Sequence, residues 1–134
     1  MAPATALIVM QAQRQEALRS HAHTAGINLW FARDCDEARQ ALRTHPEICV
    51  VLSDVTLPDG NWWCIHKELQ ERAHHTELIV VLPRRGKDVR EILSHGAFAV
   101  IAPPFRRAEI VSLISAASRR QARPGQKETE CMLA

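Results

Sequence analysis

The sequence has little net charge and lacks the loops that common catalytic sites are built on. Its 17 lysines and arginines are nearly balanced by 15 aspartates and glutamates, so the formal net charge is only +2. A charge this small creates no global field that would attract nucleic acid or a membrane surface. The sequence also contains no glycine-rich phosphate loop, nucleophile elbow or Ser/His/Asp pattern. We therefore expect no nucleic-acid partner, no membrane association and no enzymatic activity.

Long hydrophobic runs are missing as well. The apolar stretch from Ala6 to Met10 has no basic segment before it and is too short for a signal peptide or a membrane span. Apolar residues still make up 46% of the chain and charged residues 24%, as is typical of soluble globular proteins. Because 134 residues can bury a core without covalent staples, we expect one folded domain.

Cysteine and histidine are present without the spacing of a metal site. The four cysteines form no CxxC pair, and Cys49 lies in an apolar run where a thiol behaves as a small hydrophobe. The pairs His21/His23 and His74/His75 lack the helical spacing that a shared ligand site needs. These patterns predict reduced thiols, a cytoplasmic setting, solvated histidines and no metal site.

Five short apolar runs alternate with stretches of helical period. The runs predicted as buried strands are 6–10, 27–31, 48–52, 78–82 and 98–101. The predicted helices are 13–23, a helix that begins after Asp34, 62–71, 87–95 and 106–119. Asp34 is a good N-cap, and Glu37 three residues later completes a capping box.

This alternation predicts a three-layer α/β domain. Five strands that are each followed by a helix imply right-handed crossovers and a parallel sheet covered on both faces. A crevice then forms beyond the carboxyl ends of the strands, where Gln11, Asp54 and Pro83 stand. The domain is expected to span residues 1–120. Pro124 and Gly125 interrupt the last part of the chain, so 121–134 is expected to be a tail or a linker.

Two segments carry a family resemblance. VVLSDVTLPDG, residues 50–60, resembles the segment around the phosphoacceptor aspartate of response-regulator receiver domains, with Leu57 and Pro58 three and four positions after Asp54. IAPPF, residues 101–105, resembles the Lys-Pro-Phe segment that follows their fifth strand, and HGAFAV before it resembles their Gly-Ala stretch. The resemblance covers about residues 5–120. It implies a doubly wound CheY-like (flavodoxin-like) fold with strand order 2-1-3-4-5 and a role in bacterial two-component signalling.

The resemblance places Asp54 at the phosphoacceptor position but finds other residues where the rest of the machinery belongs. The substituted positions are Met10 and Gln11 at the acidic metal-binding positions, Pro83 at the hydroxyl, Val100 at the aromatic switch and Pro103 at the lysine. Mg²⁺ prefers carboxylate oxygens, so magnesium binding should be weak or absent and no cofactor is expected. Phosphoryl transfer depends on positioning and charge neutralisation. The chain is therefore expected to be an atypical receiver, or pseudo-receiver.

Several interpretations of the crevice remain open. Asp54 is either a working acceptor, a partner for Arg84 or Arg85, or a hydrophilic strand end; a carboxylate–guanidinium pair needs no metal. The Pro103-Pro104 bond is either cis, as at the corresponding bond of many receivers, or an ordinary turn.

The candidate partner surface consists of Trp62, Arg84 and Arg85. Trp62 and Trp63 are adjacent on a helix and cannot both face the core; we expect Trp63 inside and Trp62 partly exposed at the crevice mouth. An exposed tryptophan there is either a partner anchor or a lid over its own pocket. Basic residues also cluster on the face of the fourth and fifth helices, which receivers use for dimerisation or output. That face is a candidate homodimer contact or simply a solvated surface.

Three functions fit these observations. The first is a receiver-like module that acts on a signalling protein, a histidine kinase or an output protein, without phosphorylation. The second is a conventional receiver phosphorylated at Asp54 by a histidine kinase. The third is a flavodoxin-like module that binds a small anionic ligand through Arg84 and Arg85.

Overall fold

The computed structural model describes residues 5–11, 15, 26–73, 75–83, 88–102 and 106–121. Several sequence predictions therefore lie outside the described residues. These are the first helix beyond Gln15, the side chains of Arg84 and Arg85, the Pro103-Pro104 bond and the tail from residue 122.

The strands form one parallel sheet and one small hairpin. The strands are β1 (Thr5–Val9), β2 (Asn28–Ala32), β3 (Val50–Asp54), β4 (Thr56–Leu57), β5 (Gly60–Asn61), β6 (Glu77–Val81) and β7 (Ala99–Ile101). The five longer strands pair in parallel in the order β2-β1-β3-β6-β7. When only this sheet is counted, the order is 2-1-3-4-5, so the predicted fold class and strand order are confirmed. The antiparallel β4–β5 hairpin was not predicted from the sequence.

Four helices are described: three connect strands and the fourth follows β7. They are α1 (Cys35–Thr44), α2 (Trp62–Glu71), α3 (Asp88–Ser94) and α4 (Arg107–Gln121). The Asp34 side chain accepts the Glu37 backbone N–H at 2.9 Å, so the predicted cap of α1 is confirmed. Asn61 caps α2 in the same way by accepting the Trp63 N–H at 3.0 Å. Among the helices that the structure describes, none is long and apolar enough to cross a bilayer.

The sheet is buried on both faces, as a sheet with crossover helices must be. Alternate residues of β1 point to opposite sides: Leu7 and Val9 pack with α1 and α2, whereas Ala6 and Ile8 pack with α4. The side chains that α1 and α2 add to the first cluster include Leu42, Trp62 and Ile65. Those from α4 are Ile110, Ile114 and Ala117. This two-sided core fixes the carboxyl ends of the strands at one edge.

The predicted burial of the two tryptophans is wrong. Trp62 is only 4% exposed and belongs to the core, whereas Trp63 is 41% exposed. The reason is helical spacing, because Trp62 and the fully buried Ile65 lie three positions apart on the inner face of α2. Trp62 therefore cannot be the exposed anchor that the sequence suggested.

The prediction that all thiols are reduced is also wrong. Cys35, the first residue of α1, forms a disulfide with Cys64 in α2, with the Cα atoms 6.4 Å apart. The two residues are separated by 29 positions, and no regular spacing marks them. They meet because α1 and α2 pack side by side on the same face of the sheet. Cys49 is the free thiol within the described part of the chain.

Candidate functional site

Asp54 lies at the carboxyl edge of the sheet, where the resemblance placed it. It is the last residue of β3, pairs with Val81 of β6 and is 8% exposed. The strand extends two residues beyond its predicted end at residue 52, so Asp54 is held in the sheet rather than after it. Its surroundings form a cleft of about 270 Å³. The cleft is lined by Gln11, Asp54, Val55, Thr56, Val81 and Pro83.

Backbone hydrogen bonds hold the floor of this cleft. The Val55 N–H donates to the Val81 carbonyl at 3.0 Å, and the Met10 N–H donates to the Ala32 carbonyl at 3.0 Å. The buried Gln15 side chain donates from Nε2 to the Met10 carbonyl at 2.8 Å and to the Ala32 carbonyl at 3.3 Å. Gln15 therefore ties the end of β1 to the end of β2.

Gln15 was not predicted as a site residue, although the sequence contains a signal for it. Gln15 precedes Leu18 by three positions and Ala22 by seven, which places it on the apolar side of the predicted first helix. A polar residue on such a face must find buried partners, and the carbonyls at the strand ends supply them.

The loop from Asp54 to α2 folds back onto the start of α1. The Asp59 carboxylate accepts the Cys35 N–H at 2.8 Å through Oδ1 and the Asp36 N–H at 3.1 Å through Oδ2. The Cys35 hydrogen bond, followed by that of Asp36, holds the pKa of Asp59 below its usual range. The disulfide at Cys64 ties α2 to the same helix start. The loop beside the cleft is thus attached to α1 directly through Asp59, and the helix that follows the loop is attached to α1 through Cys64.

The donor atoms at the cleft do not fit the metal site of receiver domains. Met10 is 2% exposed and packs in the core on the α4 side, so it contributes nothing to the cleft. Gln11 lines the cleft but offers an uncharged amide, which leaves Asp54 as the carboxylate among the described lining residues. In the described ranges no three histidine, cysteine, aspartate or glutamate side chains are placed to hold a metal ion. A hard dication such as Mg²⁺ would here lose the anionic oxygens that favour its binding.

The structure brings together some of the predicted site residues and separates others. Asp54, Gln11 and Pro83 line the same cleft. Val100 lies half-buried in β7, paired with Val80, and packs against the core on the α1–α2 side. Arg84, Arg85 and Pro103 lie outside the described residues, so their proposed roles stay predictions.

The α1 side of α2 is joined to α1 by charged groups as well as by the disulfide. Arg43 of α1 donates from Nε and Nη2 to the two carboxylate oxygens of Glu68 in α2 at 3.1 and 3.0 Å. Arg72, at the end of α2, donates to backbone carbonyls in the last turn of α1 and in the segment between α1 and β3. Its carbonyl partners are Leu42, His45 at 3.0 Å, Pro46 at 3.1 Å and Ile48 at 3.0 Å. Partial burial lowers the pKa of Arg72, and the carbonyls satisfy its donors.

The opposite side of α2, which faces α3, is built from rings. The His66 imidazole lies 5.7 Å from the rings of both Trp62 and Trp63, and His95 lies edge-on to Trp63 at 4.5 Å. A groove of about 450 Å³ runs below them, toward the start of β6. Burial, and then repulsion from His95, lowers the pKa of His66.

Comparison with solved structures identifies this architecture. The receiver domain of Francisella response regulator 1452 superposes with a TM-score of 0.78 at 18% identity, covering 87% of this chain and 98% of that domain. The receiver domain of a putative LuxO repressor from Vibrio parahaemolyticus gives a TM-score of 0.80 at 12% identity over 91% and 94%. A third neighbour is the receiver domain of a sensor histidine kinase from Pseudomonas aeruginosa, solved with magnesium in its active-site cleft. It gives a TM-score of 0.75 at 19% identity and covers 88% of this chain and 99% of that domain.

These likenesses establish the class of fold. The chain has the CheY-like fold of response-regulator receiver domains, which confirms the expectation drawn from residues 50–60 and 101–105. The neighbours are domains of two-component signalling proteins. The chain matches no protein-family model and no curated protein sequence. At these identities the comparison defines the fold, and the chemistry must be argued from the cleft itself.

Proposed function

We propose that this chain is an atypical receiver module that transmits a signal through protein contacts, without phosphorylation at Asp54. The observation that carries the proposal is the composition of the cleft. Asp54 keeps the strand end and the depth of an acceptor, but its described neighbours in the cleft are an amide (Gln11), a hydroxyl (Thr56), a proline and aliphatic side chains, with no cationic group among them. Among these described lining residues a phosphoryl group would find no cationic side chain to neutralise its charge.

The position of Met10 adds a second argument against metal-dependent chemistry. An aspartate at the end of β1 would reach the cleft only if its side chain turned away from the core. Met10 instead fills space beside Ile8 and Ile114 on the α4 side, where its packing stabilises the fold. Met10 thus has a structural role at a position that receivers use for binding a cation.

Surface features support action through contacts. Trp63 and Leu93 are 41% and 42% exposed and lie on α2 and α3. Tryptophan is enriched at the energetic centres of protein interfaces. A histidine kinase or an output protein of a signalling pathway, met in the cytoplasm, is the class of partner that this role requires. No catalytic role is proposed.

Phosphotransfer assays test the proposal. We expect no adduct on Asp54 when the chain is incubated with acetyl phosphate and Mg²⁺ and its intact mass is measured. A conventional receiver domain treated in parallel shows the adduct and confirms that the reagent is active. In this assay the Asp54→Asn variant should, like the native chain, show no phosphoryl adduct.

A substantial adduct that maps to Asp54 and disappears in Asp54→Asn would overturn the proposal in favour of a conventional receiver. Binding of a beryllofluoride complex that requires Mg²⁺ would do the same. If an inorganic phosphate analogue instead raises the melting temperature without Mg²⁺, the anion-binding alternative is supported, because a ligand that binds only the native state stabilises it.

A further inference from the structure

The disulfide lies beside the loop that connects the Asp54 cleft to α2. We propose that the Cys35–Cys64 bond is a site of thiol–disulfide exchange, opened by a dithiol that can close into an unstrained ring and closed again by the corresponding cyclic disulfide. This goes beyond the proposed function, because it does not depend on whether Asp54 accepts a phosphoryl group. The surroundings of the two sulfur atoms support this exchange.

The fold does not require the disulfide in order to bring α1 and α2 together. Arg43 and Glu68 join the two helices through paired hydrogen bonds, and Arg72 binds the carbonyls at the end of α1. Ile65 and Leu42 are fully buried between the helices and the sheet. A domain of this size has enough core to remain folded with the bond open, which reversible exchange requires.

The neighbourhood of Cys35 accommodates both redox states. Its sulfur lies 3.7 Å from the Asn61 carbonyl oxygen. In the disulfide, Cys35 Sγ carries no proton, so this contact is not a hydrogen bond. In the reduced protein the Cys35 thiol becomes a weak donor with that carbonyl as its acceptor. The new polar group is therefore not left unsatisfied when the bond opens.

Accessibility decides which sulfur is attacked. Cys35 has no exposed surface, whereas Cys64 is half-buried. One thiolate of the reductant attacks Cys64 Sγ, where a mixed disulfide forms while the Cys35–Cys64 bond breaks. Cys35 leaves as a thiolate and takes up a proton from water.

The second thiolate of the reductant then attacks the reductant's own sulfur in the mixed disulfide. Cys64 is released as a thiolate and is protonated, and the reductant departs as a cyclic disulfide. Two electrons have passed from the dithiol to the protein. The same steps in reverse, with the cyclic disulfide as oxidant, close the bond again.

The exchange would change the loop beside the cleft. Val55 and Thr56 line the Asp54 cleft, and the chain continues from them through Gly60 to α2. A methyl group added at Gly60 would lie 3.3 Å from Cys35 Sγ, which shows how closely the loop passes the disulfide. With the bond open, the exposed Asp59 carboxylate and the weak contact of the Cys35 thiol with the Asn61 carbonyl remain as the described polar links between this loop and α1. Reduction should therefore loosen the mouth of the cleft.

Alkylation and hydrogen exchange on the native full chain test this inference. After aerobic purification, dithiothreitol should add two alkylation sites, which peptide mapping assigns to Cys35 and Cys64, while circular dichroism stays native. Exchange at the amides of Cys35 and Asp36 and of the non-proline residues of 55–63 should become about tenfold faster. The amides of β1 and β3 should keep their rates.

Two variants separate the effect of the bond from other effects of the reductant. The Cys35→Ala/Cys64→Ala variant should show the fast loop exchange without dithiothreitol, and Cys49→Ala should keep the dependence on dithiothreitol. The inference is overturned if the native disulfide resists dithiothreitol, or if the bond opens and loop exchange stays unchanged. Should the double variant fail to fold, the comparison of oxidised and reduced native chain decides alone.

Discussion

The two sides of α2 are held in different ways. Toward α1 the helix is fixed by the Cys64 disulfide, by the Glu68–Arg43 pair and by Arg72. Toward α3 it presents the rings of Trp63 and His66 beside an open groove. Covalent and charge-assisted bonds define a geometry, whereas ring contacts contribute about 1 kcal/mol each and allow more displacement. We infer that α1 and α2 move together and that adjustment is easier between α2 and α3.

Removing the disulfide should affect stability most. The Cys35→Ala/Cys64→Ala variant should lose about 3 to 4 kcal/mol of unfolding free energy, because a bond that closes a loop of 29 residues restricts the unfolded chain. Denaturant unfolding measures the loss. Dithiothreitol should lower the stability of the native chain by a similar amount and leave the double variant unchanged. If the variant is as stable as the oxidised native chain, the disulfide does not contribute to holding the α1 side of α2, and only the contacts of Arg43 and Arg72 remain to distinguish it from the α3 side.

Removing Arg72 should have the next largest effect. Arg72→Met keeps much of the hydrophobic stem but leaves the carbonyls of His45, Pro46 and Ile48 without this donor. A loss of about 2 to 3 kcal/mol is expected, since hydrogen bonds from a charged group are stronger than neutral ones.

The matched control for Arg72 is Arg90→Met, at an exposed position of α3. This change should stay within about 0.5 kcal/mol of the native chain, as exposed substitutions usually do. Equal losses in the two variants would show that the carbonyl contacts of Arg72 contribute nothing specific to the α1 side of α2.

The sequence was a good guide to the scaffold because its signals are local. The alternating apolar runs gave the five sheet strands, and Asp34 with Glu37 marked the start of α1. The tryptophan error was avoidable, because the three-residue spacing to Ile65 already distinguishes Trp62 from Trp63. The expected cleft was also located, since carboxyl ends of parallel strands converge at one edge.

The ties on the α1 side of α2 could not be predicted in this way. The Cys35–Cys64 bond depends on how two helices pack. A sequence separation of 29 residues does not indicate that the two sulfur atoms come within bonding distance. Arg72 binds backbone carbonyls, which every residue possesses, so its partners leave no pattern in the side chains. Gln15 is an intermediate case. The sequence predicts its place on the apolar face of a helix, but it does not predict its carbonyl partners.

The smallest predicted effect concerns the α3 side of α2 and its response to pH. Burial and the proximity of His95 lower the pKa of His66 in the folded chain below the ordinary value of about 6.5. As the pH falls through that value, the unfolded chain takes up the proton first, so folding stability decreases. The charged and titratable groups around the same groove are Arg72, His75, Glu77 and His95. A difference between variants is therefore needed to isolate the contribution of His66.

Melting temperatures of the native chain and His66→Gln, measured at a series of pH values above and below about 6.5, provide that difference. The native chain should lose stability below this pH, and the loss should be smaller in His66→Gln, which cannot take up the proton. Gln70→Ala alters the same groove without removing a titratable group and should keep the native slope. If His66→Gln is as sensitive to acid as the native chain, the α3 side of α2 is not the acid-sensitive side. The difference between the two sides of α2 would then be supported only by the stability losses measured for the variants on the α1 side.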